Sequence, residues 1–416
     1  MAENSVSETV YIGIDLNYER AMVSLFHAGM REPETIAAHP GTDLYEIPAV
    51  VYRSGSGKYY YGEEAIKRKD RTDGTYFENL YEEALLPENV VYRNILVQFL
   101  KRLIRFRERY DSCREMAIYL AVAVPKVNDA VLDLFAFVRC EMGIALGQFQ
   151  LMDYGESFFA LVYSQDRSVW LHDTALFECD GRQIAMRLLH TDAQGKVRRV
   201  TSETYAWTIP HLTWENPQDR DVFFAQTLQE AFTKRAVSGV YLVGEGFEGG
   251  WMQDSLQMLG KHRRVFLGDN LFTSGACLAG YRNVNTQGWY FYYDCAYKLK
   301  GEIRLAVTQN GQAGELILAG LGENYFSPTK TYYLLLVGDP VVKVSVRTRG
   351  KENAREFVFS LDYVPEREAG SVRLSVQAQP VSGTEVWLRL ADDGFGELFE
   401  STGKEWKFRI PIDPVG

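Results

Sequence analysis

Tyr11-Ile12-Gly13-Ile14-Asp15-Leu16 is an apolar run of strand length that closes on a carboxylate. Asn17 to Arg20 turn the chain, and Ala21 to Phe26 carry it back as a second strand. The design recurs at Thr174-Ala175-Leu176-Phe177-Glu178-Cys179-Asp180-Gly181, followed by the strand Ile184 to Leu189. A strand that ends in an acid and folds back on itself suits holding a metal-bound phosphate, and two such hairpins place that site between two lobes.

Outward from the first hairpin, a weaker strand lies near Thr35 to Ala38, and a hairpin follows at Ala49 to Tyr52 and Tyr59 to Tyr61. Asn94 to Glu108 reads as a helix with Leu96, Phe99, Leu100 and Leu103 on one stripe. Ala117 to Val124 is a continuous apolar run, as expected of a central strand buried on both faces, and Pro125 ends it. Asn128-Asp129 opens a helix through Glu141, with Gly143 at its end. A strand at Gln148 to Met152 leads into a helix from Gly155-Glu156.

After residue 170 the order returns. Strands are expected at Trp170 to Cys179, Gln183 to His190 and near Val197 to Thr204, then a helix over Asp219 to Arg235 and a strand at Gly239 to Val243. Helices at Gly249 to Leu259 and Leu271 to Tyr281 complete it. Two halves of alternating type imply two α/β lobes with a cleft between them. Beyond Asn285 the period changes from helical to two: valines alternate with polar residues in Val342 to Arg347 and Val372 to Gln377, and less strictly in Val386 to Leu390. Turn clusters at Gly350-Lys351-Glu352-Asn353 and Asp392-Asp393-Gly394 separate these runs, as in an antiparallel sandwich. The domain expectation is a first lobe over residues 1–168, a reduced second lobe over 169–285 and a β-sandwich over 286–416.

Composition sets the outer bounds. A chain of 416 residues, 46% apolar and 24% charged, is globular and long enough for two or three domains. A net charge of −10 argues against a broad nucleic-acid or anionic-membrane surface. The basic run Lys101, Arg102, Arg105, Arg107, Arg109 is interleaved with Leu103, Ile104 and Phe106 and reads as the solvated face of an amphipathic helix. The five cysteines are scattered, as buried thiols of a reducing compartment are, and the six histidines show no two-ligand spacing. The polar start MAENSVSET lacks the pattern of a secretory leader, and no run reaches the ~18–20 apolar residues of a membrane span. A soluble, cytoplasmic protein with no nucleic-acid or membrane partner is expected.

The order of these pieces resembles the actin, sugar-kinase and heat-shock-chaperone superfamily, most closely the seventy-kilodalton heat-shock chaperones of DnaK type. Ile12 to Leu16 resembles their first phosphate hairpin. Ile47-Pro48-Ala49-Val50-Val51, with Tyr61-Gly62-Glu63-Glu64-Ala65, resembles the segment that continues from it. Ala123 to Ala130 resembles the strand-proline-helix junction, and Leu151 to Tyr163, with Glu156, lies where the connecting motif stands. Tyr241-Leu242-Val243-Gly244-Glu245-Gly246 resembles the adenosine loop, and Ser274-Gly275-Ala276-Cys277 the small-residue helix that closes it.

The resemblance implies a two-lobed, ribonuclease H-like ATPase fold followed by an all-β domain. It implies catalytic roles for Asp15, Glu178 and Glu156, with Asp15 and Glu178 holding magnesium through water. ATP or ADP would then lie against Gly13, Asn17, Gly181, Gly244, Gly246 and Gly275. The departures point elsewhere. Asn17, Tyr18 and Glu19 stand where the family has a glycine and threonines to wrap phosphate, and Glu19 would repel it. The second hairpin retains the acid as Glu178 but keeps one glycine, Gly181. The family's catalytic lysine has only Lys67 as counterpart, and the connecting motif's threonine is Phe158.

The expectation is therefore a chaperone-like pseudo-ATPase that binds or scaffolds a protein partner or client peptide. Its alternative is a divergent Mg-ATPase whose nucleotide state controls the β-domain. Ser54-Gly55-Ser56-Gly57-Lys58 lacks phosphate-loop spacing and reads as a hairpin turn. The aromatics Trp289 to Tyr293 and Tyr297 read as packing between domains.

Overall fold

The computed structural model describes residues 9–192, 197–327, 329–348, 353–367 and 370–413. The polar start of the chain before Thr9 and most of the turn at Gly350 to Asn353 lie outside them. The chain divides into two compact units, residues 1–291 and 292–416.

In the first unit, β1 (Thr9–Leu16) and β2 (Arg20–Phe26) form the first hairpin, and two short strands, β3 (Glu34–Thr35) and β4 (Ile47–Pro48), pair with β2. A small antiparallel sheet follows, made of β5 (Val51–Ser54), β6 (Tyr59–Tyr61) and, beyond helix α1 (Glu63–Ile66), β7 (Gly74–Phe77). Helices α2 (Leu80–Ala84) and α3 (Val90–Ile104) lead to β8 (Ala117–Val124), α4 (Asp129–Met142), β9 (Phe149–Asp153) and α5 (Tyr154–Tyr163). Their sheet has the order β3-β2-β1-β8-β9, with β1 antiparallel to β2 and parallel to β8, which is itself parallel to β9. Both β1 and β8 are buried over nearly their whole length, as covering of both faces requires.

The chain then repeats the arrangement. The elements are β10 (Asp173–Cys179), β11 (Gln183–Asp192), β12 (Arg198–Thr208), α6 (His211–Glu215), α7 (Pro217–Phe232), β13 (Val237–Val243), α8 (Asp254–Leu259), β14 (Arg264–Leu267) and α9 (Leu271–Val284). The order β12-β11-β10-β13-β14 matches that of the first sheet, strand for strand and direction for direction. The closing helix of each half crosses to the other half. On α9, Thr273 donates to the Gly13 carbonyl of β1 at 2.8 Å. On α5, Phe158 packs edge-on against Tyr241 of β13, with ring centroids 5.4 Å apart.

Some boundaries differ from the sequence expectation, each for a local reason. α3 starts at Val90 and ends at Ile104, where the backbone tightens into a 3-10 turn over Arg105–Arg109. α8 begins at Asp254 rather than Gly249, because Gly249 and Gly250 hold φ of 91° and 67°, outside helical space. β14 was not expected; it is short and only half-buried, so it carries no hydrophobic signature. Ser54 to Lys58 does form the turn between β5 and β6, with Ser54 N–H donating to the Lys58 carbonyl at 2.9 Å.

β15 (Phe291–Tyr293) lies at the divide in the chain, and among the described residues the regular elements of the second unit are all strands. They are β16 (Gly301–Gln309), β17 (Gln312–Ala319), β18 (Thr331–Leu336), β19 (Val341–Thr348), β20 (Arg355–Ser360), β21 (Val372–Ser382), β22 (Glu385–Asp392) and β23 (Glu405–Pro411). Two antiparallel four-stranded sheets result, β17-β16-β19-β20 and β18-β21-β22-β23. Ile303, Val344 and Val346 from one sheet and Leu374, Val376 and Leu388 from the other belong to a single core. The period of two places alternate side chains of β19 and β21 into that core. The protein is thus mixed α/β with a strand-rich C-terminal unit. Among the described residues no helix is long and apolar enough to cross a membrane.

Trp289 and Phe291 pack within the first unit, on Phe159 and on Tyr163 and Trp170. Tyr297 packs on Phe326 within the second.

Candidate functional site

Asp15 sits at the end of β1, 1% exposed. Its two oxygens face different partners. Tyr154, the first residue of α5, donates its hydroxyl to Asp15 Oδ1 at 2.5 Å. Arg20, the first residue of β2, places Nη1 3.6 Å from Asp15 Oδ2 and its Nε 2.8 Å from Glu46 Oε1. Burial pushes the Asp15 carboxyl up to about 6, against the opposing pull of Arg20 and Tyr154, with Glu178 and Glu46 adding to the rise. Burial and the adjacent Asp15 charge raise the Tyr154 hydroxyl as well, so it remains a proton-bearing donor at neutral pH. The Tyr154 ring lies flat on Phe272 of α9, with centroids 3.7 Å apart and planes 7° from parallel. The acid, its cation and an aromatic stack thus meet where α5 and α9 approach the first hairpin.

The two hairpin tips have the same construction. Leu16 pairs with Ala21 and Cys179 with Ile184, so Asn17 to Arg20 and Asp180 to Gln183 are equivalent loops. Asn17 Oδ1 accepts the N–H groups of Glu19 and Arg20, both at 2.9 Å. Asp180 Oδ1 accepts those of Arg182 and Gln183 at 2.8 and 2.9 Å. An Asn or Asp at the first loop position bonds the backbone two and three residues on, closing the turn locally. The amides of Glu19, Arg20, Arg182 and Gln183 are thereby spent on the side chains of their own turns. Gly181 holds φ of 82° within the second tip, and Trp214 lies 3.2 Å from where a Cβ would stand.

The remaining expected glycines sit at close backbone contacts. A Cβ on Gly13 would stand 2.1 Å from the Thr273 carbonyl oxygen, and one on Gly275 2.1 Å from that of Ser157. These two glycines let α9 lie on β1 and on α5 respectively. Gly244 and Gly246 press on Cys179 at the end of β10, and Gly244 donates its N–H to Asp269 Oδ1 at 3.1 Å.

Asp15 and Glu178 occupy matching strand ends, and the charge of Glu178 acts on Asp15. Glu178 is itself raised by burial, partly offset by Arg187. Glu156 is buried in the first turn of α5, where Asp153 Oδ1 accepts its backbone N–H at 2.8 Å, and its charge acts on Tyr119 of β8. Tyr119 lies beside Tyr11 in the sheet, whereas Asp15 lies beside Ala123, further along both strands. Lys67 is an exposed residue at the end of α1. Among the described residues no group of three His, Cys, Asp or Glu side chains is placed to hold a metal ion.

Sequence reasoning passed over Arg20, Glu46, Tyr154 and Phe272. Only Arg20 carried a signal, as the sole basic residue of the first tip. The basic run also has a different setting from the one expected: Lys101, Arg102, Arg105 and Arg109 line one wall of a groove of about 510 Å³ rather than a plain solvated face.

Residues 32–296 match a family model described as "Family of unknown function (DUF5716) C-terminal", which takes in more than half of the sequence. The chain belongs to the DUF5716 family. Its match opens after the first hairpin, at Glu32, and closes close to the divide between the two units. Residues 298–412 match a second model, "Domain of unknown function (DUF8552)", which covers nearly all of the strand-rich unit. No curated protein sequence matches this DUF5716 chain.

Proposed function

We propose that this chain is a chaperone-like pseudo-ATPase: a two-lobed actin-type body that binds or scaffolds a protein partner in the cytoplasm, with a β-sandwich as its second unit. Supporting the fold reading are the two sheets of identical order and direction, each opening on an acid-ended hairpin, and the exchange of their closing helices. The motifs that resemble the heat-shock chaperones fall on these elements in the same order.

One observation carries the functional reading. Each hairpin tip turns two of its amides onto its own Asn17 or Asp180, while Asp15 is already paired with Arg20 and Tyr154. A phosphoryl-transfer site needs those amides for the phosphates and the acid for magnesium. A guanidinium at 3.6 Å repels a second cation and satisfies the acid's charge without one. The residues present do not fit a magnesium-nucleotide complex. The test is calorimetric titration of the full chain with magnesium-ATP and with ADP, alongside thermal melting at millimolar nucleotide. Absence of both heat and a melting shift is expected. Saturable heat would overturn the reading in favour of a divergent ATPase.

A further inference from the structure

The groove beside the small sheet of the first unit is lined on one side by α3 and the turn after it, and on the other by β6 and the start of α1. Its volume of about 510 Å³ falls within the ordinary range of ligand sites. Arg102 and Arg105 are exposed and form no ion pair and donate no hydrogen bond among the described residues. Among the described residues, Lys101 Nζ and the Arg109 guanidinium hydrogen-bond only to backbone carbonyls, those of Glu141, Ala37 and Ala38, and neither forms an ion pair.

Four cations on one wall stand out in a chain of net charge −10. They crowd one another: Arg109 is lowered by burial and then by the charge of Arg102. Between them lie apolar surfaces. Arg109 lies over Phe106 at 3.8 Å, and Tyr59 stacks on Tyr61 with centroids 6.4 Å apart. Arginine among aromatic rings is the composition of protein-binding hot spots. The far wall carries Glu63 and Glu64, also exposed. A nucleic-acid strand, anionic all along, would meet them as repulsion; a peptide that is acidic on one side and presents amide N–H groups on the other would not.

We propose that this groove docks a short acidic segment of a partner protein, with its carboxylates on Arg102 and Arg105 and an apolar side chain against Tyr59 and Tyr61. The inference rests on the reading of the chain as a protein-binding module and names the chemistry of what it binds. The groove also reaches the Asp15 site, because Glu46 lines it while ion-pairing with Arg20.

The probe is a fluorescein-labelled dodecapeptide of alternating glutamate and leucine, titrated by anisotropy against the full chain beside its glutamine-leucine counterpart. Saturable binding of the glutamate peptide alone is expected, weakening with added salt. Arg102→Glu with Arg105→Glu should reduce affinity by roughly tenfold or more. Lys330→Glu, an exposed reversal in the second unit, should leave it unchanged, and all variants should melt as wild type does. Equal binding of the two peptides, no binding of either, or full binding by the double variant would overturn the proposal. So would saturable binding of inorganic pyrophosphate, lost in the double variant, in place of the peptide. Nucleotide binding in the calorimeter would overturn the pseudo-ATPase reading and leave this result standing, so the two fail separately.

Discussion

Arg20 Nη1 stands 3.6 Å from Asp15 Oδ2, and neither atom has a hydrogen-bond partner among the described residues. The pair is held by charge alone: Tyr154 donates its hydroxyl to the other Asp15 oxygen, and the Arg20 Nε forms a second ion pair with Glu46. Asp15 is thus a buried acid with an internal counter-ion. Desolvation outweighs that counter-ion, which is why the carboxyl is raised and not lowered.

This has a defined pH signature. With Asp15 at about 6 when folded and near ~3.9 when unfolded, the native state binds the proton more tightly. Its contribution is fully present below the unfolded value and is lost as pH rises through about 6. The gap corresponds to at most roughly 3 kcal/mol. Asp15→Asn removes the titration while keeping an acceptor for Tyr154. Urea unfolding from pH 4.5 to 7.5 should show the variant gaining on wild type as pH rises, by up to that amount. A pH-independent difference would contradict the assignment.

Arg20→Met tests the other partner. Without the guanidinium, Asp15 avoids an unpaired buried charge by holding its proton to higher pH, so the loss depends on conditions. The variant should lose little at pH 5 and up to about 3 kcal/mol at pH 8, the range for a buried pair broken on one side being roughly 3–5 kcal/mol before protonation relieves it. Equal losses at both pH values would show that Arg20 acts through packing.

Gly275→Ala should be among the most damaging single-methyl additions in the chain. The new Cβ would meet the Ser157 carbonyl oxygen at 2.1 Å, within a contact also fixed by Ser157 Oγ donating to the Phe272 carbonyl at 2.6 Å. The nearest atom belongs to the backbone of a buried helix and cannot swing aside. A loss of about 3 kcal/mol or more is expected in chemical denaturation, at the upper end for overpacking. Gly147→Ala is the control, since nothing lies within 4 Å of its added Cβ.

These contacts show where the sequence was legible. The paired hairpins, the buried strand Ala117 to Val124 and the alternating β19 and β21 were readable because each is a local pattern imposed by one buried face or two. The fate of the site residues was not local. Gly13 and Gly275 carry a motif's spacing, yet their neighbours come from α9 and α5, far along the chain. The Tyr154–Phe272 stack likewise joins the first turns of those two helices, and no periodicity records it. The basic run of α3 looked solvated because its facing wall, from Tyr59 to Glu64, is contributed by another part of the chain.

Asp221 illustrates a cap supplied from outside its helix. It lies on α7, but its carboxylate accepts the N–H groups of Gln253, Asp254 and Ser255 at 2.9, 2.7 and 3.0 Å, at the start of α8. α8 is only six residues long, and this acid satisfies amides that the helix itself cannot. Burial raises the carboxyl, but Ser255 and the three amides outweigh it, leaving it below its ordinary value. Asp221→Ala should cost roughly 2–4 kcal/mol. Hydrogen exchange should accelerate at residues 253–259 in particular; uniform acceleration over the first unit would contradict a capping role.

In the second unit, Arg367 and Asp392 form the converse of the Asp15 pair. Arg367 Nη1 and Nη2 donate to the two Asp392 oxygens at 2.8 and 2.9 Å, and the Thr402 N–H and hydroxyl each add a bond at 2.8 Å. Burial raises the Asp392 carboxyl, but this ring of donors more than reverses it, and the group lies below the usual carboxylate range. Its stabilisation is therefore present above the unfolded value and is lost as pH falls through the depressed one, opposite in sign to Asp15. Asp392→Ala strands a 6% exposed guanidinium and should cost about 3–5 kcal/mol, read as faster hydrogen exchange in β21 and β22 of the full chain at neutral pH. Adding Arg367→Met to that variant should recover part of the loss, because the stranded charge is gone. A double variant no better than the single one would show that the pair contributes through packing rather than through its charges.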